Sequence, residues 1–191
     1  MRKLVYYVAV SLDGYIAGPG GEYDFYPMST DMTDAMCRQY PESLPVHIRP
    51  LVDMPVDTPN REWDTVLMGR GSYEPGLAEG VADPYPHMKQ YVISRTLDPA
   101  DYPEVEIVAD DPLALVRKLK QQDGKHIWLC GGGALAGVLV DEIDELIIKS
   151  YPVIAGAGVS AFTGNFRPTN FRPVQRREFG NGAQVTWFER A

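Results

Sequence analysis

The sequence predicts an α/β fold with a mixed, mostly parallel central sheet and a C-terminal β-hairpin. Three observations predict it. Short apolar runs alternate with helix-forming stretches through the middle of the chain, as in a parallel sheet with crossover helices. The first run, Leu4–Val10, is almost wholly apolar, as a strand covered on both faces must be. The chain closes on two strand-like runs, Val174–Phe179 and Gln184–Phe188, around Gly180-Asn181-Gly182, a hairpin signature.

The elements follow in order. After Leu4–Val10, Asp13-Gly14 makes a turn and Tyr15-Ile16-Ala17 continues the strand briefly. Gly18-Pro19-Gly20-Gly21 forces a loop. Ser29 or Thr30 caps a short helix reaching about Arg38. Pro41, Pro45, Pro50, Pro55 and Pro59 then exclude a long helix, and this stretch reads as a lid-like or partner-contacting excursion. Thr65–Met68 is a buried strand, followed by a short helix that Pro75-Gly76 interrupts or ends. Gln90–Ile93 and Val105–Val108 are strands. Asp110 or Asp111 caps a helix with Pro112 in its first turn and Leu115 and Leu119 on its inner face. His126–Leu129 is a strand, Ala134–Val140 a helix, and Leu146–Lys149 a strand running on toward Val153-Ile154.

Composition bounds the function. The 191 residues fit one domain, 1–191, and can build an apolar core without staples. A net charge of −8 argues against a dedicated nucleic-acid binder, which needs a basic surface to replace phosphate counterions. Cys37 and Cys130, with His47, His87 and His126, lie too far apart for metal-ligand spacing, so no metal site is expected. Two cysteines suit a reducing cytosol. No apolar run approaches a membrane span, and Met1-Arg2-Lys3 before Leu4 lacks the rest of a signal peptide. A cytoplasmic, soluble protein is expected.

Two strand–glycine–helix junctions carry the chemistry. In Met68-Gly69-Arg70-Gly71-Ser72-Tyr73, a helix start offers unpaired N–H groups and partial positive charge, glycine admits a phosphate to the backbone, and Arg70 adds a forked cation. In Leu129-Cys130-Gly131-Gly132-Gly133-Ala134-Leu135, three glycines between a buried strand and a helix suit a backbone that must hug a ligand. Ser94-Arg95 follows a strand at the edge where open α/β sheets bind ligands, giving a second cation near the first.

These motifs, with Val8-Ala9-Val10-Ser11-Leu12-Asp13-Gly14-Tyr15-Ile16-Ala17 before them, resemble the dihydrofolate reductase-like superfamily. The nearer match is the branch related to the reductase domain of bacterial riboflavin biosynthesis, and the motifs span residues 4–155 in the expected order. The resemblance implies a dihydrofolate reductase-like three-layer α/β/α fold, NADPH as hydride donor, and a homodimer. The apolar strand Leu146–Ile148, leading to Val153-Ile154, is a candidate part of its interface. It assigns Gly69, Arg70, Gly71 and Ser72 to the adenosine and pyrophosphate side. Arg70, Ser94 and Arg95 would hold the 2′-phosphate. Gly131, Gly132, Gly133, Ala134 and Leu135 would meet the pyrophosphate, and Ala9, Ile16 and Ala17 would flank the nicotinamide.

The substrate side departs from true dihydrofolate reductases, which place a carboxylate on the first helix. Asp31 and Asp34 on the short helix, and Asp24 in the preceding loop, are the candidate proton donors here. Phe25 and Tyr26 could stack on a flat ring. The proline-rich 41–59 stretch is expected to shape the substrate pocket. The expected activity is NADPH-dependent hydride transfer to a small nitrogen heterocycle: a pterin, a dihydrofolate-like compound or an aminopyrimidine. Two alternatives stand beside it: an NADPH-binding sensor or interaction module without turnover, and the 5-amino-6-(5-phosphoribosylamino)uracil reductase of riboflavin biosynthesis.

Overall fold

The structure, a computed structural model, describes residues 1–191. Ten strands form: β1 Leu4–Val10, β2 Tyr15–Ala17, β3 Trp63–Gly69, β4 Lys89–Ile93, β5 Glu106–Val108, β6 His126–Gly131, β7 Ile143–Ser150, β8 Val159–Ser160, β9 Phe171–Glu178 and β10 Gln184–Arg190. The helices are α1 Thr30–Gln39, α2 Arg70–Ala78, α3 Pro112–Lys120 and α4 Gly133–Val138. Eight strands make one sheet in the order β5-β4-β3-β6-β1-β7-β10-β9. The six from β5 to β7 are parallel, β10 runs antiparallel to β7, and β9 antiparallel to β10. β2 and β8 pair separately.

The parallel strands are apolar on both faces because both are covered. On one face α1 and α2 pack Met32, Ala35, Met36 and Tyr73 against Val5, Tyr7, Trp63, Val66, Trp128 and Ile147. On the other, α3 and α4 pack Val116, Leu119, Leu135 and Leu139 against Leu4, Tyr6, Leu67, Ile127 and Leu129. Asp111 caps α3 through its side chain, which accepts from the Ala114 N–H at 2.9 Å. The first face holds an aromatic stack: Tyr40 lies parallel to Trp63 at 4.6 Å, Trp63 lies against Trp128 at 5.5 Å, and Trp187 Nε1 donates to the Tyr40 hydroxyl at 2.7 Å.

Three sequence expectations change. β9 begins at Phe171, ahead of Pro173, because it is the sheet's edge strand and a bulge opposite Trp187–Phe188 absorbs the proline. α2 runs through Pro75 to Ala78, with Tyr73 anchored in the core. β7 ends at Ser150 and lies between β1 and β10, with Leu146 and Ile147 buried, so it is an inner core strand of this chain and not a free interface.

The proline-rich stretch is also relocated. Its chain folds around Arg49, which is fully buried and donates to the carbonyls of Leu44 (3.3 Å), Val56 (2.7 Å), Thr58 (3.2 Å) and Pro41 (3.3 Å). Glu42, also fully buried, accepts the N–H groups of Arg61, Glu62 and Trp63. Trp63 starts β3, so the stretch straps the amino edge of the parallel strands, opposite the edge where an α/β sheet binds ligands.

α4 owes its glycines to packing as well as to any ligand. A Cβ on Gly133 would fall 1.8 Å from the Ser160 carbonyl oxygen, and one on Gly137 1.8 Å from that of Thr163. Backbone cannot retreat as a flexible side chain would. Gly137→Ala is expected to cost about 3 kcal/mol, a fall in Tm of about 6–12 °C by differential scanning fluorimetry.

Candidate active site

Strands β4, β3, β6, β1 and β7 all end at one edge of the sheet. At β3 the chain turns through Gly69 directly into α2, and at neighbouring β6 it turns through Gly131 and Gly132 into α4. Neither helix start has a side-chain cap. The first N–H groups of each therefore have no intrahelical acceptor, and two partial positive charges lie side by side. The two turns touch: a Cβ on Gly69 would lie 3.4 Å from Gly132 N. Gly131 takes φ +143°, which only glycine adopts readily, and the Gly131–Gly132 peptide is cis. Ser72 Oγ, from α2, would lie 3.1 Å from a Cβ on Gly131. Gly71 faces open space.

Along this edge, Arg70 donates to Glu74 through Nε at 2.6 Å and to Thr96 Oγ1 through Nη1 at 2.9 Å. Arg95 is exposed, with Asp110 at 3.8 Å. The Ser94 side chain is buried, and its oxygen accepts the N–H groups of Thr96 and Leu97, both at 3.2 Å. It shapes the turn that presents Arg95 and Thr96, a positioning part where a direct ligand contact was expected. Thr96 is the polar group that sequence reasoning missed.

Ala9, Ile16 and Ala17 are half-buried, and Ile16 Cδ1 lies 3.9 Å from where a Gly132 Cβ would be. Tyr26 is buried; its hydroxyl donates to a carbonyl at the end of β1 or β2 (Ala9 at 3.2 Å, Tyr15 at 2.9 Å), and burial pushes its pKa up to about 12. It braces this corner from within, its ring packed at a tilt between Phe25 at 4.4 Å and Tyr151 at 4.7 Å. Phe25 is half-buried and packs against the edge of the same core. Asp13 accepts from Ser11 Oγ at 2.6 Å and from the Ala155 and Gly156 N–H groups, which hold its carboxyl down to about 2 and tie the β1–β2 turn to the chain after β7.

The structure does not bring the three candidate carboxylates into the site. α1 buries Met32, Ala35 and Met36, so Asp31 and Asp34 fall on its outer side. Asp31 accepts from Ser29, from the Met32 N–H and from the Gly180 N–H at 2.9 Å, pinning the hairpin turn to the helix. Asp34 lies 3.9 Å from Arg38, one helical turn on. Asp24 is exposed in the loop with no ion pair. Thr33 and Cys37 of the same helix are half-buried.

What the sheet itself presents toward α1 is Lys149, which sequence reasoning did not single out. Its signal was a lysine interrupting the apolar run Leu146-Ile147-Ile148 at a position that period two places on the α1 face. Its Nζ lies 4.2 Å from the centre of the Tyr7 ring. A cleft of about 540 Å³ lies between α4, β7 and the 162–171 segment.

Comparison with known proteins decides the family. The model of the RibD C-terminal domain matches residues 2–185. The chain belongs to the RibD C-terminal domain family. Two proteins of Bacillus subtilis (strain 168), the uncharacterised YwjB and YyaP, are each 29% identical to this RibD-type chain, over 186 and 196 residues. The alignments cover 96% of both chains for YwjB, and 95% of this chain and 91% of YyaP. Among solved structures, a Shewanella sp. PV-4 protein provisionally assigned to riboflavin biosynthesis matches at TM-score 0.71 and 22% identity, over 100% of this chain and 99% of that one. The dihydrofolate reductase of Enterococcus faecalis, complexed with NADP(H), matches at TM-score 0.67 and 13% identity over 98% and 96%. The bifunctional deaminase/reductase of Thermotoga maritima matches at TM-score 0.64 and 15% identity over all of this chain and 57% of that one. The fold is thus a dihydrofolate reductase-like α/β fold of the RibD reductase type. No helix is long and apolar enough to cross a membrane.

Proposed function

We propose that the protein is an NADPH-dependent reductase of a small heterocycle. The observation that carries this reading is the pair of uncapped helix starts on adjacent strands β3 and β6, joined by touching glycine turns and flanked by Arg70 and Arg95. That arrangement fits a dinucleotide. Unpaired N–H groups at Gly71, Ser72, Ala134 and Leu135 would face the pyrophosphate, and the open space at Gly71 leaves it room. Arg70, steadied by Thr96, and Arg95 would hold the 2′-phosphate. Ala9, Ile16 and Ala17 would flank the nicotinamide. When bound, NADPH supplies a hydride; the chain's own part is to orient both partners, exclude water and provide a proton.

Arg70→Ala and Arg95→Ala are each expected to weaken NADPH binding about 10-fold, the loss of a charge-assisted contact, and to leave NADH binding within twofold. Competition of 2′-phospho-AMP with NADPH in wild type and variants checks this assignment.

Turnover is tested by following NADPH oxidation with dihydropterins, dihydrofolate and aminopyrimidines, with product identified by mass spectrometry. A saturable rate with one of them is the expected result. Tight NADPH binding without turnover across the panel would support the sensor reading, which the outward-facing Asp31 and Asp34 favour. A homodimer remains part of the proposal, measured by sedimentation.

A further inference from the structure

Lys149 extends from β7 onto the face that α1 covers. In register it pairs with Ala9 of β1 on one side and Val185 of β10 on the other. Adjacent strands lie about 4.8 Å apart, so its side chain emerges one strand from the residue assigned to the nicotinamide. The groups facing it from each packed element are Tyr7 of β1, Cys130 of β6 and Cys37 of α1, with Tyr151 two residues on along its own strand. None is a carboxylate. Its Nζ makes no ion pair and no hydrogen bond in the chain, and it is not sealed from solvent. Burial among these thiols and rings pushes its pKa down to about 8. A half-buried lysine without an anionic partner is costly, because removing an ammonium from water is only offset by a counter-charge or hydrogen bonds. The other lysines near the core are paired: Lys3 with Glu145, and Lys120 with Glu142 and Asp144.

We propose that Lys149 binds and protonates the substrate, and that the site therefore takes a heterocycle presenting a carbonyl oxygen or other electron-rich atom here, not a cationic 2-amino ring that needs a carboxylate. This rests on the reductase reading above. In the step, the substrate carbon accepts the hydride with its electron pair. The π bond to the neighbouring heteroatom breaks toward that atom, and the atom takes a proton from Lys149 Nζ. Water then re-protonates the neutral amine through the solvent-reachable side of Nζ. The charge sign at the pocket is thus the reverse of the carboxylate expected from true dihydrofolate reductases.

The test uses two probes of one shape and opposite demand, pteridine-2,4-dione and 2,4-diaminopteridine, titrated against the protein with and without NADP⁺. Wild type is expected to bind the dione at least 20-fold more tightly than the diamine. Lys149→Met should remove that preference, weakening the dione at least 20-fold while NADPH affinity stays within threefold. Lys149→Glu should reverse it. No saturable binding of the dione to wild type, or equal dione binding in wild type and Lys149→Met, would overturn the proposal. A wild type that binds the dione through Lys149 but never binds NADPH would instead overturn the reductase reading and leave the lysine's part in ligand binding standing.

Discussion

Gly71→Asp is expected to weaken NADPH binding at least 30-fold while leaving the protein as stable as wild type or slightly more so. Gly71 is the second residue of α2, its φ is ordinary, and a Cβ there meets nothing within 4 Å. A carboxylate in the first turn of an uncapped helix stabilises that helix by roughly 0.3–1 kcal/mol. The same carboxylate would sit where the account puts a pyrophosphate. Two like charges about 4 Å apart repel by about 1 kcal/mol in water and more in a partly buried groove. Against a pyrophosphate this amounts to about 2 kcal/mol or more, or roughly 30-fold in affinity. Affinity measured by quenching of protein fluorescence, beside a melting curve, separates the two effects. Loss of both stability and binding would mean the site had been disturbed rather than blocked.

Arg49→Met is expected to do the opposite: a stability loss of about 3–5 kcal/mol, the range for breaking a buried charged network by deleting one partner. Four backbone carbonyls within the 41–58 stretch lose their donor, and Glu42 loses the neighbouring cation. The melting temperature should drop by about 10 °C or more. Because the strap lies at the amino edge, NADPH affinity of the folded variant at low temperature should match wild type. A selective loss of cofactor or probe binding would show that the strap reaches the site after all.

The sheet was legible because its strands announce themselves. Leu4–Val10 and Thr65–Met68 must be apolar on both faces, and a parallel strand leaves no other pattern. The glycine turns were legible for a similar reason, since Gly131 has φ +143° and Gly133 touches the Ser160 backbone. What escaped was set by long-range geometry. Which carboxylate of α1 faces inward depends on the helix's rotation against the sheet, and Met32, Ala35 and Met36 settled that against Asp31 and Asp34. Five prolines suggested a lid-like or partner-contacting excursion, but one buried arginine, which looks in sequence like any solvated one, gathers the stretch into a strap. Lys149 looked like a strand end. Its isolation appears only when Cys37, Cys130 and Tyr7 are folded around it.

The paired helix starts at β3 and β6 are the proposed seat of NADPH. Isothermal titration of the wild-type protein with NADPH and NADH at low and moderate salt tests it most directly. One NADPH is expected per chain, with an affinity at least 10-fold above that for NADH and a preference that shrinks as salt screens Arg70 and Arg95. No saturable binding of either nucleotide, or equal affinity for the two at low salt, would contradict it.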